Sequence, residues 1–172
     1  GTGSGGAIRV PYETNPVDAL RADGRVKINE KLDAVYKAWI AENPFDFGHG
    51  WATEPWSQIE MPLDDALVAE AAAASDVALI FIGRLAGEDK DNNRGEGSYL
   101  LTAAEIDMIK KVTAHFDKVA AVLNVGNIIN TGWVEEYGVN SLLYIWQGGQ
   151  EGGNAAADVL LGDVNPSGKL FD

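Results

Sequence analysis

Three short apolar runs, separated by segments with helical spacing, constrain this chain most. Val77 to Ile82, Val119 to Val125 and Ser141 to Trp146 are nearly continuous in apolar residues. Their length suits strands rather than helices. Strands apolar on both faces occur in parallel sheets covered by helices on each side. The segments between them supply those helices. Thr102-Ala103-Ala104-Glu105 is a capping-box pattern, and Ile106, Ile109, Val112 and Phe116 follow at helical spacing. Pro62 suits a first helical position, with Asp64 and Asp65 favouring the dipole of the next turn. Leu63, Leu67, Ala71 and Ala74 then mark one face of that helix. Gly152, Gly153 and the alanines after Asn154 start a last helix, expected to pack close to the sheet. Gly162 stops it before a turn at Asn165-Pro166-Ser167-Gly168. Ile28, Leu32, Val35 and Trp39 form one more amphipathic stripe. The expected fold is α/β, a three-layer α/β/α sandwich with a mainly parallel sheet.

Composition narrows the partners. A length of 172 residues suits one domain with a real core. The formal charge of −13 argues against nucleic acid and against an anionic membrane surface. No apolar stretch approaches the ~18–20 residues needed to cross a bilayer. The chain has no cysteine, which removes disulfides and thiolate chemistry. Neutral substrates such as sugars fit this balance.

The segment Gly83-Arg84-Leu85-Ala86-Gly87-Glu88-Asp89-Lys90-Asp91 follows the first strand directly. Ligands and catalytic groups of open α/β sheets gather at such C-terminal strand edges. Glu88, next to small residues there, is a candidate acid/base. Competing patterns fail on context. Gly1-Thr2-Gly3-Ser4-Gly5-Gly6 fits a dinucleotide fingerprint with Asp23 downstream, yet no strand precedes it and Pro11 prevents the helix that should follow. Asp89, Asp91 and Asn93 mimic a calcium loop whose Gly and closing Glu positions are Arg94 and Leu100. His49 and His115 are isolated, and Glu135 and Glu136 read as exposed turn residues. No metal site is expected. Residues 41–57 form a long loop containing Phe45, Phe47, Trp51 and Trp56. Those rings suit sugar stacking or an interface, and the interface reading is preferred.

From Val77 to Leu170 the motifs together resemble the C-terminal α/β sandwich domain of glycoside hydrolase family 3, the β-glucosidase family. The resemblance rests on Leu85-Ala86-Gly87-Glu88, on Gly97-Ser98-Tyr99-Leu100-Leu101-Thr102-Ala103-Ala104-Glu105 and on Val122-Leu123-Asn124-Val125-Gly126-Asn127. It rests also on Trp146-Gln147-Gly148-Gly149-Gln150-Glu151-Gly152-Gly153-Asn154 and on Gly162-Asp163-Val164-Asn165-Pro166-Ser167-Gly168-Lys169-Leu170. The opening glycine-rich loop matches as well. The resemblance implies that residues 1–172 are such a domain, cut from a longer chain and lacking its first strand and the catalytic barrel. It implies a reaction shared between two domains, with a nucleophilic Asp on a (β/α)8 barrel and a general acid/base here. By motif position that acid/base is Glu88. Its rival Glu96 falls at a variable position ahead of Gly97. Gly87, Asp89 and Asp91 are implied as substrate-binding neighbours, and loops 1–6 and 87–98 as pocket walls. No cofactor is implied, and the substrate is a β-glucoside or oligosaccharide. The sequence departs from the family where Asp89 replaces the usual Gly and Asn92 a common Arg. The isolated chain is expected to be inactive. The alternative is a non-catalytic carbohydrate-binding or scaffold module of the same fold.

Overall fold

The computed structural model describes residues 10–170. They fall into two units, residues 29–147 and residues 10–28 with 148–170. The glycine-rich opening, residues 1–6, lies outside the described residues.

The first unit holds α2 (Glu30–Glu42), α3 (Asp65–Ala73), β1 (Ala78–Arg84), α4 (Ala103–His115), β2 (Val119–Val125), α5 (Gly132–Glu136) and β3 (Ser141–Tyr144). The second unit holds α1 (Pro16–Asp23) and α6 (Gly152–Leu160). The chain is thus an α/β protein, and the three strands run parallel in the order β1-β2-β3.

Register explains the core. Ile80, Ile82 and Arg84 of β1 pair with Ala121, Leu123 and Val125 of β2, so buried residues fall on one face. That face packs with Met108, Ile109 and Val112 of α4, Val68 of α3 and Trp133 of α5. Burial of side chains this size contributes about 1.5–3 kcal/mol each. The other face of β1 is less covered than two-sided apolarity implies. Leu79 is 37% exposed, Gly83 is exposed and Phe81 is half-buried.

The capping box forms as expected, with Thr102 Oγ1 accepting from the Glu105 N–H and the Glu105 carboxylate accepting from the Thr102 N–H. The helix before β1 starts later than Pro62 suggests. Asp64 is its N-cap, accepting from the Leu67 N–H at 2.7 Å, because a carboxylate can satisfy an orphan donor that proline only avoids. Its buried positions are therefore Val68 and Ala71, with Ala74 left exposed. Glu135 and Glu136 are exposed, but lie in the short α5 rather than a turn.

In the second unit, α1 was not expected, although Asn15-Pro16 is a start signal. The Asn15 side chain accepts from the Asp18 N–H at 2.9 Å, and Pro16 is the first helical residue. The close packing at Gly153 is to the Thr14–Asn15 backbone, where an added Cβ would lie 2.5 Å from the Asn15 carbonyl carbon. The final turn sits at residues 161–164, ahead of Asn165. Arg25 bridges Asp23 and Asp163, holding both carboxyls below their ordinary pKa through its hydrogen bonds.

Candidate active site

The C-terminal ends of the strands set the site. Arg84 closes β1 and is 3% exposed. Its guanidinium makes a bidentate pair with Glu105, at 2.6 and 2.7 Å, and Glu105 is 4% exposed. The remaining donors reach the carbonyls of Gly83, Ser98 and Leu100. A buried ion pair is tolerable only when its lone pairs and protons are satisfied in this way. The pair therefore fastens the start of α4 and the 98–100 segment to the end of β1.

Beyond Arg84, Leu85 is buried and its N–H donates to the Trp56 carbonyl at 2.8 Å. The chain then turns tightly. The Lys90 N–H donates to the Gly87 carbonyl at 3.2 Å, and Glu88 and Asp89 form the corner. Asp89 has φ +58°, as the third residue of a type II turn requires. Such left-handed backbone costs an ordinary L-residue about 1–2 kcal/mol, and Asp tolerates it better than most. Asp89 can thus stand where the family resemblance places Gly.

Glu88 is exposed at this corner, and among the described residues its carboxylate has no hydrogen-bond partner. Asp89 is committed elsewhere, because its Oδ2 accepts from the Trp51 indole N–H at 2.8 Å. Lys90 reaches the other way. Its ammonium donates to the Ala52 carbonyl at 3.4 Å and to the Glu54 carbonyl, and lies 4.7 Å from the centre of the Trp56 ring. Asp91 is exposed, while Asn92 donates to the Ile128 carbonyl at 2.8 Å and accepts from Ser98. Gly97, at φ +74°, lies where an added Cβ would come within 2.7 Å of Ser57 Oγ. The 87–98 loop is therefore braced against both strand ends and the loop before α3.

That long loop runs over residues 43–64. Phe47, Trp51 and Ile59 are 67%, 64% and 78% exposed. Behind it lies a cavity of about 260 Å³, walled by Phe45, Trp56, Glu60, Arg84, Glu105 and Gln147 among others. Glu88, Asp89 and Asp91 are not among its walls. Burial raises the Glu60 carboxyl to about 7, with the Glu105 charge adding to the effect and the Met61 N–H opposing it.

Sequence reasoning picked out Glu88, Asp89 and Asp91 but not the groups that brace them. Arg84 was visible as a lone cation ending an apolar strand, and Glu105 only as half of a cap. Their pairing spans 21 positions and leaves no local trace. Among the described residues no group of three or more His, Asp or Glu is placed to hold a metal ion.

The sequence model described as the glycosyl hydrolase family 3 C-terminal domain matches residues 1–171. A β-glucosidase of Ruminococcus albus is 50% identical over 172 residues, and β-glucosidase A of Butyrivibrio fibrisolvens is 34% identical over 197. The whole chain is covered in both cases, but it spans 18% and 23% of those two proteins. The crystal structure of a β-glucosidase from Paenibacillus barengoltzii superposes with a TM-score of 0.94 at 53% identity, over all of this chain and 19% of that one. β-Glucosidase 3B of Thermotoga neapolitana, solved with glucose, gives 0.85 at 29% identity, over 99% of this chain and 24% of its own.

Proposed function

Because the chain belongs to the glycosyl hydrolase family 3 C-terminal domain, we propose that it supplies the acid/base to a retaining, exo-acting β-glucosidase. The bond broken joins a terminal non-reducing β-D-glucosyl residue to its leaving group. Glu88 protonates the leaving oxygen as a nucleophilic Asp attacks the anomeric carbon. It then takes a proton from the water that releases the glycosyl-enzyme. A (β/α)8 barrel of the same polypeptide carries the nucleophile and the floor of the sugar pocket. The two carboxyl groups of a retaining enzyme stand only about 5–5.5 Å apart, so the acid must be carried out to the other domain.

The observation behind this reading is the placement of Glu88. It is an exposed carboxylate without a hydrogen-bond partner among the described residues, at the corner of a braced turn beyond β1. Glu105 is consumed by Arg84 and cannot serve. The exposed Phe47, Trp51 and Ile59 favour burial of the neighbouring loop against a second domain. Relatives of which this chain spans only 18% and 23% leave room for one. Gly87, Asp89 and Asp91 are the proposed sugar contacts, Asp89 through the oxygen that Trp51 does not use.

The test is Glu88→Ala in the complete polypeptide, assayed on aryl glucosides with poor and activated leaving groups. Loss of about 10²–10⁴-fold on the poor leaving group, with the activated one spared, is the expected result. Near-wild-type turnover of both would make the domain a binding or scaffold module. The 172-residue chain alone is expected to show no turnover.

A further inference from the structure

The turn that carries Glu88 is tied to the aromatic loop through the two residues that follow Glu88. Asp89 accepts the Trp51 indole N–H at 2.8 Å, and Lys90 donates to the carbonyls of Ala52 and Glu54 while its ammonium sits over the Trp56 ring. These contacts join residues 34 to 38 positions apart. Two of the three non-glycine residues with left-handed backbone among the described residues take part in them, Ala52 at φ +55° and Asp89 at φ +58°. Such backbone persists where the surroundings over-determine it, and it gathers at sites whose geometry matters. Glycine would adopt the Asp89 conformation freely, but glycine has no carboxylate to reach Trp51.

We propose that Asp89, Lys90 and Trp51 are positioning residues that fix the direction of Glu88. The proposal rests on the reading of Glu88 as general acid/base. With the chain held before the turn by the Leu85 N–H on the Trp56 carbonyl and after Glu88 by Asp89 and Lys90, Glu88 cannot swing with the loop, and its carboxyl meets the leaving oxygen in one place. Misplacement of a reacting group by about 1 Å can cost 10²-fold, so a short exposed turn gains much from two fixed flanks. Protonation matters most for poor leaving groups, so a misdirected acid lowers their turnover selectively. A general structural lesion lowers all substrates alike.

The experiment uses the complete polypeptide and kcat/KM for poor and activated aryl glucosides. Trp51→Phe removes the indole donor and keeps a ring, and Asp89→Gly removes the acceptor while keeping the turn's backbone. Each is expected to lower the poor leaving group about tenfold more than the activated one, a ratio from which any loss of Asp89's own sugar contact cancels because it falls on both substrates. The double variant is expected to match the worse single variant, because both remove one bond. Asp89→Asn, which still offers an oxygen to Trp51, should recover part of the loss. Lys90→Met should show the same selectivity. Uniform losses on both substrates, or wild-type values throughout, overturn the proposal. If Glu88→Ala also spares the poor leaving group, the acid/base reading falls with it. If Glu88→Ala is impaired and the anchor variants are not, the anchor alone falls.

Discussion

Arg84 and Glu88 stand at the end of the same strand and just beyond it, in opposite surroundings. Arg84 is buried, with every edge of its guanidinium occupied by Glu105 and backbone carbonyls. Glu88 is exposed, and among the described residues its carboxylate carries no hydrogen bond. A carboxylate with open lone pairs is available to a ligand, whereas a group that holds a scaffold has spent its hydrogen-bonding capacity. The step from one condition to the other takes place over Leu85 to Gly87, where the chain leaves the core and forms its tight turn.

The sharpest way to break this contrast is at its buried end. Arg84→Met strands the Glu105 carboxylate without its partner, and unfolding by urea should show a loss of about 3–5 kcal/mol. The double change Arg84→Met with Glu105→Leu should recover much of it, because apolar residues of similar volume often replace a buried pair at little cost. If the single change proves neutral, the pair does not fasten α4 to the strand. A smaller effect is expected from Thr102→Ala, which removes one cap bond and leaves Glu105 in place. Here the loss should be about 1 kcal/mol by the same measurement.

A further effect concerns pH. Glu60 has a carboxyl raised to about 7 by burial, so the folded state favours its protonated form. Its contribution to stability is fully present below the ordinary value of 4.5 and is lost as pH rises through about 7. Glu60→Gln should therefore flatten the decline in urea midpoint across that window. An unchanged slope would show that Glu60 does not titrate there.

Much of the architecture was legible because its causes are local. The apolar runs gave the strands within a residue or two, and Thr102 with Glu105 marked the start of α4. Asn15-Pro16 carries an equally local signal for α1, as its N-cap and first helical residue. The start of α3 was misjudged because proline and aspartate both suit a first turn, and only Asp64 makes the capping bond. The exposed turn beyond β1 that carries Glu88 was legible from its position after a strand. The anchors around it were not, since Trp51 and Asp89 lie 38 positions apart and meet only once the chain is folded. The left-handed backbone of Asp89 was equally hidden, because Asp signals a turn without specifying its type.

Among the described residues β1 borders the sheet, and Val77 and Leu79 are 48% and 37% exposed. A strand with one open flank is a template for another chain. At neutral pH the charge of −13 keeps identical molecules apart. Near pH 4.4 that repulsion vanishes while the apolar flank remains. The domain on its own should therefore become colloidally unstable on acidification before it unfolds. Light scattering should rise near pH 4.4 while far-UV circular dichroism still reports folded strands and helices. A lysine at Leu79 should delay that rise, since a charge on a strand border is a barrier to edge pairing.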